Sequence, residues 1–309
     1  MFSIIIPTYN RPQELKVCLQ SLNELCATHI EFEVIVIDDC STIHYEPDFS
    51  EYQFNYQYIR LPVNQGPSGA RNSGVLRARY EWLMFLDDDD RFESNKLSVA
   101  AEMIENNKDC EFFYHPAFIH MVNENYTYQT NPKSYHSFGD MRHVIYNENP
   151  VGGAPNIIIS KSLFLRAGML DSSMKAIEDY ELIIRLVNKF PEQKSKYINV
   201  PLTRCSYVTQ KSSVSKSYIN TKNSCDYIRE KYSLSEFDNK VFIKNENLMC
   251  AYSLIMNKDR RAAQFYLRAF MCSRNTVFLA AAVMSVLYPE AIFTVKKIIS
   301  KLTERIGDR

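Results

Sequence analysis

The stretch Glu81–Asp90, EWLMFLDDDD, decides how the rest of the chain is read. Its apolar run, Trp82-Leu83-Met84-Phe85-Leu86, is short, continuous and stops abruptly at polar residues, the pattern of a buried strand. Four carboxylates follow at the strand's carboxyl end: Asp87, Asp88, Asp89 and Asp90. Open α/β sheets bind ligands at that end of their strands. Adjacent anions repel, and protonation, solvent or a cation relieves the repulsion. Oxygen-only ligands suit a hard cation such as Mg²⁺ or Mn²⁺, which keeps positions for water and phosphate. The competing reading is a solvated acidic turn capping the helix of SNKLSVAAEMI, which begins at Ser94.

Upstream, Ser3 to Pro7 (SIIIP) reads as a buried strand stopped by proline. The loop TYNRP follows, with Pro12 suited to a helix start and Leu15, Cys18, Leu19, Leu22 and Leu25 on one helical face. A second strand, Phe32 to Ile37, ends in Asp38-Asp39-Cys40-Ser41. Strand, helix, strand and acidic loop make a βαβ unit of the nucleotide-binding kind. Phe54 to Leu61 is a third strand, 64–69 a loop and Ala70 to Arg79 a helix leading into the acidic strand. Neither GxGxxG after the first strand nor GxxxxGK[ST] is present, which argues against dinucleotide enzymes and P-loop proteins.

The 309 residues suffice for one large domain, or one with an appendage. Lys+Arg and Asp+Glu are both 36, so no net charge draws the chain to nucleic acid. The eight cysteines are scattered without a CxxC pair, as expected of reduced cytosolic thiols. MFSIIIPTYN lacks the regions of a signal peptide, and no run reaches the ~20 apolar residues of a spanning helix. The expected location is therefore the cytoplasm.

SIIIPTYNRPQEL, EVIVIDDCS, NQGPSGARNSG and WLMFLDDDD, in this order and spacing, resemble the family 2 glycosyltransferases of the GT-A fold, over roughly 1–215. The resemblance implies an α/β fold, a Rossmann-like mixed sheet flanked by helices. It also implies inverting transfer of a sugar from a nucleotide donor, usually a UDP-sugar. By the same resemblance Pro7, Thr8 and Tyr9 line the nucleoside pocket, with Tyr9 near the base. Arg11 lies near the diphosphate, Asp39 bonds the uracil, and Arg71 is a donor contact. Asp87 and Asp88 face ribose and donor sugar, and Asp89 binds Mn²⁺ or Mg²⁺. Each has a plainer alternative: Tyr9 as a packing residue, Asp38 or Asp39 as turn residues, Arg71 as a surface helix charge.

The acceptor half is 111–216, following a nucleotide half of about 1–110. Glu111 to His120 is aromatic and strand-like, and its histidines, with His136 and His143, lack metal-ligand spacing. Tyr126 to Asn149 is expected to be a variable loop shaping sugar recognition. Asn156 to Ser160 is a strand, and Lys175 to Phe190 a helix with Glu178-Asp179 at its start. The plainer reading of carboxylates there is simple capping, favoured by the helix dipole. The pair also resembles the family's ED motif, about ninety residues after the acidic run. That resemblance makes Asp179 the base that takes the acceptor hydroxyl's proton, with Glu178 orienting acceptor or base. One departure is Gln210, in Tyr207-Val208-Thr209-Gln210, where the family often carries histidine; Lys211, Ser212 or Ser213 is left to contact the diphosphate.

Beyond Ser217 the resemblance ends, and 217–309 reads as a helical appendage. TVFLAAAVMSVLY (276–288) is the most apolar stretch and too short to span a bilayer. After Pro289, apolar Ile292, Val295, Ile298, Ile299 and Leu302 alternate with Lys296, Lys297, Lys301 and Arg305. Such a helix packs on its own domain, lies on the anionic cytosolic face of an inner membrane, or makes a homodimer contact. The expected activity is metal-dependent hexosyl transfer to a glycan or lipid-linked oligosaccharide, as in O-antigen or capsule assembly. The rivals are a non-catalytic nucleotide- or glycan-binding scaffold and a sugar-phosphate nucleotidyltransferase. The latter would need a Gly-rich basic first loop, and SIIIPTYNRP contains no glycine.

Overall fold

A computed structural model of the chain describes residues 1–28, 30–43, 45, 47–210 and 217–298. The chain begins with β1 (Phe2–Thr8), α1 (Pro12–Leu22), β2 (Phe32–Asp38), β3 (Asn55–Arg60), α2 (Gly66–Arg77) and β4 (Trp82–Phe85). Then come β5 (Arg91–Phe92), α3 (Lys96–Glu105), β6 (Phe112–Tyr114), β7 (Ala117–Met121), β8 (Tyr126–Gln129), β9 (Ile157–Ser160), α4 (Lys161–Ala167) and α5 (Glu178–Lys189). β10 (Lys196–Tyr197) and β11 (Thr203–Tyr207) complete the strands, and α6 (Tyr218–Tyr232), α7 (Glu236–Met256), α8 (Ala262–Ser273) and α9 (Thr276–Leu287) follow.

Among the described residues the strands form a seven-stranded sheet, β10-β6-β9-β4-β1-β2-β3, and a four-stranded one, β5-β11-β7-β8. β1 pairs in parallel with β2 and β4, whereas β9 is antiparallel to β4 and β6. Side chains alternate across the large sheet, so each central strand feeds two cores. Ile4, Ile6, Val34, Val36 and Met84 meet the α1 and α3 side. Ile5, Ile35, Ile37, Leu83 and Phe85 meet residues of α2, α4 and α5.

Pro7 is inside β1, not in the loop after it. Leu86 N–H donates to the Ile5 carbonyl, so odd-numbered residues of β1 face β4. β4 ends at Phe85, opposite Ile5, so the N–H that Pro7 lacks has no ladder partner to lose. α2 starts at Gly66, earlier than Ala70, because Gly66 takes φ +73° and Pro67 enters the first turn. The run from Glu111 to His120 divides at His115-Pro116, with β6 in the large sheet and β7 in the small one.

The segment 126–149 is not a free recognition loop. Tyr126–Gln129 is β8, and Tyr135, Phe138, Met141 and Ile145 are buried in the core shared with α5. α5 begins at Glu178, three residues later than the pattern predicts, because Ile177 adopts φ 55°. Residues 291–298 are helical, with Ile292 and Phe293 buried against the C-terminal helices and the small sheet. That start of the helix is packed on its own domain, while Ile299, Lys301, Leu302 and Arg305 lie outside the described residues.

Candidate functional site

β1 leads through α1 to β2 on one side, and β3 leads through α2 to β4 on the other. The crossover therefore changes sides between β1 and β4, where such sheets leave a crevice beyond the strand ends. Thr8 closes β1 there, and its hydroxyl donates to Asp88 Oδ2 at 2.8 Å. Arg11 Nη1 reaches Asp88 Oδ1 and Asp89 Oδ2, each at 2.9 Å. Burial pushes the Asp88 carboxyl up to about 6, against the opposing charge of Arg11 and the hydroxyl of Thr8.

A recess beside this cluster is lined by Thr8, Asn10, Arg11, Asp38, Ser41 and Tyr45. Asn10, at φ 54°, latches its far wall by accepting from the Thr42 N–H at 2.8 Å. Tyr9 does not line it and is 45% exposed. Asp38 and Asp39 both serve the turn. Asp38 accepts from Ser41 N–H and the Tyr58 hydroxyl, each at 2.8 Å. Asp39 accepts from Gln65 N–H at 2.7 Å, and burial raises its carboxyl despite that bond.

Arg71 is not a surface charge, being only 5% exposed. Its Nη2 donates to Asp87 Oδ1 at 2.5 Å and its Nη1 to Glu178 Oε1 at 2.7 Å, 107 residues away. Burial opposes its charge, but Asp87 and Glu178 outweigh that and keep it protonated. Its Nε has no hydrogen-bond partner among the described residues. Gly74, one turn on, explains how so deep an arginine is reached. A Cβ there would sit 2.5 Å from Ile5 Cγ2, so only glycine lets α2 settle this close to β1.

Asp179 sits next to this bridge. Its Oδ2 accepts from Ala154 N–H at 3.1 Å and its Oδ1 from Tyr180 N–H at 2.7 Å. Burial first, then the neighbouring negative charge of Glu178, pushes its carboxyl up to about 7. The cap reading of the pair is partly right, since Asp179 does bond a first-turn amide, but the Arg71 bridge lies beyond it. Asp90 faces away from the cluster and accepts from Ser206 N–H at 3.0 Å; burial and the charges of Asp87 and Asp89 hold its carboxyl well up. Gln210, at φ 61°, donates its N–H to Met256, while Lys211, Ser212 and Ser213 lie outside the described residues.

Nothing local in the sequence marks Lys96, yet it is fully buried behind the Asp179 turn. Its Nζ bonds His115 Nε2 and the Pro155 carbonyl at 2.9 Å and Thr203 Oγ1 at 3.1 Å, under the Phe92 ring, and burial pushes its pKa well down. Pro155 adjoins Ala154, so this lysine braces the peptide that holds Asp179.

No three His, Cys, Asp or Glu side chains converge as a metal cage among the described residues. Asp89, one third exposed, offers a carboxylate at the open side of the cluster. One carboxylate with oxygens from a diphosphate and water is a set that a hard cation accepts, so the residues fit an ion shared with a ligand.

The family model "Glycosyl transferase family 2" matches residues 3–167. An uncharacterized glycosyltransferase of Haemophilus influenzae is 36% identical over 96% of this chain and 99% of its own length. WcaA of Escherichia coli, a putative colanic acid biosynthesis glycosyl transferase, is 26% identical over 62% of this chain and 68% of its own. Among solved structures, Staphylococcus aureus TarS 1–349 with UDP-GlcNAc superposes at TM-score 0.55 and 18% identity, covering 96% of this chain and 92% of that one, a likeness of fold. With the matched region holding both acidic strand ends and the Arg71 helix, the chain belongs to glycosyl transferase family 2.

Proposed function

We propose that the chain moves a sugar from a UDP-sugar to a hydroxyl of a glycan acceptor, in surface-polysaccharide assembly, by one inverting displacement. The observation that carries the reading is the bridge Asp87–Arg71–Glu178, which fastens the acidic loop to the helix bearing Asp179. In an inverting transfer the acceptor oxygen attacks the anomeric carbon opposite the departing diphosphate. The new C–O bond forms as the old one breaks, the electron pair leaves with UDP, and the hydroxyl proton must go to a base. Asp179 is that base: a carboxyl held near neutrality by burial accepts a proton at pH 7 and above. Glu178, tied to Arg71, orients it.

The recess at Thr8, Asn10 and Arg11 suits a nucleoside. Asp39, next to the lining Asp38, is taken to meet the uracil, and Pro7, next to the lining Thr8, to flank the nucleoside. Tyr9, exposed, is the member of this set with least support. Arg11 meets the diphosphate by exchanging carboxylates for phosphate oxygens, and Arg71, which keeps its bridge to Asp87 and Glu178, has its unpartnered Nε as the donor left for that ligand. Asp87 and Asp88 face ribose and sugar. Asp89 is the residue that would hold Mn²⁺ or Mg²⁺, which when bound supplies charge neutralisation on the leaving diphosphate. TarS structures with UDP and with UDP-GlcNAc support the nucleotide-sugar donor, and the name of the E. coli relative supports a polysaccharide acceptor, here taken as lipid-linked. Asp179→Asn is expected to bind UDP as the wild type does and to lose transfer by about a thousandfold or more, read by UDP release. Undiminished transfer in that variant would remove Asp179 as the base.

A further inference from the structure

α9 is packed inside out. Its buried residues are the small Ala282 and Ser285, set against α8, while Val277, Leu279, Val283, Val286, Leu287 and Tyr288 are turned to solvent. Leu287 is 72% exposed and Val277 66%. A helix on a water-facing surface does the reverse. No charged residue interrupts 275–289, and α8 extends the patch with exposed Leu267 and Met271, one turn apart. Patches of this kind mark docking faces.

The charge around the patch identifies the occupant. From 258 to 298 seven Lys and Arg stand against two carboxylates, a net +5 in a chain whose total is zero. Lys258 and Arg261 pair with Glu290 and Asp259, Lys296 lies over Tyr252 and Lys297 bonds the Glu124 carbonyl, while Arg260, Arg268 and Arg274 are exposed. Arg268 and Arg274 share the outer side of α8 with Met271 and Leu267. A second copy docking face to face would bring two such segments together and meet repulsion. An anionic lipid surface takes both the apolar side chains and the charge. At twelve residues α9 is too short to cross a bilayer and fits the interface plane.

We propose that α9 and the outer side of α8 form the docking face by which this protein sits on anionic lipid. The face is a different one from that of the following helix, where Ile292 is buried, Val295 and Ile298 are exposed, and Ile299 and Leu302 lie outside the described residues. It is also independent of the transfer reaction, because none of its residues touches the site.

The test is co-sedimentation of the full chain with vesicles of phosphatidylcholine alone or with about one third phosphatidylglycerol, at low and high salt. The expected result is at least tenfold stronger binding to the anionic vesicles, lost at high salt. Val283→Asp with Val286→Asp, both solvent-facing, should abolish binding without changing the melting curve, and Arg268→Glu with Arg274→Glu should weaken it. No binding to either vesicle by folded protein overturns the proposal. So does a dimer in sedimentation equilibrium that Val283→Asp with Val286→Asp dissociates, which would give the face to a second copy. Binding indifferent to lipid charge and salt overturns the anionic assignment.

Discussion

Asp179 carries the sharpest consequences at the scale of single residues. As a base it must be unprotonated, so transfer should rise with pH through about 7 and level off above it. Its effect on stability has the opposite sign. The folded carboxyl holds its proton more tightly than the unfolded one, so the stabilisation present at pH 4 is lost as pH rises to about 7. Asp179→Asn should therefore be about 1–3 kcal/mol more stable than wild type at pH 8 and nearly equal to it at pH 4, by urea unfolding. A variant destabilised at pH 8 would mean that the carboxylate is held by its neighbours instead of strained by them. The position of Asp39 and the Asp87–Asp89 run just beyond β2 and β4 could be read from sequence because strand-end carboxylates stand out against apolar strands. The Arg71 bridge was not legible, because its partners are 16 and 107 residues away and only the fold brings them together.

Among the elements, α2 and α3 position the site in different ways. α2 owes its depth to Gly74, and Gly74→Ala forces a Cβ into Ile5. The gain in helix propensity, about 1 kcal/mol, is smaller than the overpacking it causes, so a net loss of about 1–2 kcal/mol is expected. UDP affinity should fall as well, as Arg71 shifts away from Asp87; unchanged affinity with lowered stability would separate the two. α3 contributes Lys96, whose three hydrogen bonds all go to neutral acceptors. Lys96→Met keeps the volume but strips His115 Nε2 of its partner, while the Pro155 carbonyl and the Thr203 hydroxyl keep each other, and should cost about 1–3 kcal/mol in denaturant melts. A neutral outcome would show that the cost of burying the amino group cancels its bonds. Element types were legible where the apolar period was long, as in α5 and β1. They were not where two residues, His115-Pro116, send one aromatic run into two sheets, nor in 126–149, whose aromatic residues look like loop until α5 packs on them.

For the whole molecule, the order of strands and acidic loops was enough to expect a nucleotide-binding βαβ unit with its ligand at the strand ends, and the GT-A arrangement was expected from the resemblance of the four motifs. The C-terminal helices were legible as helices only. Which face of each is covered depends on α7 and α8 seating against β7 and β11, and sequence periodicity holds no record of that. The central claim, a UDP-sugar site at the ends of β1 and β4 completed by a cation at Asp89, is tested most directly by thermal unfolding with UDP and Mn²⁺, in wild type and in Asp89→Asn. Ligand at a hundred times its dissociation constant should stabilise the wild type by about 2.7 kcal/mol, with Mn²⁺ required and the shift lost in the variant. A folded wild type that UDP leaves unshifted, with or without Mn²⁺, would contradict it.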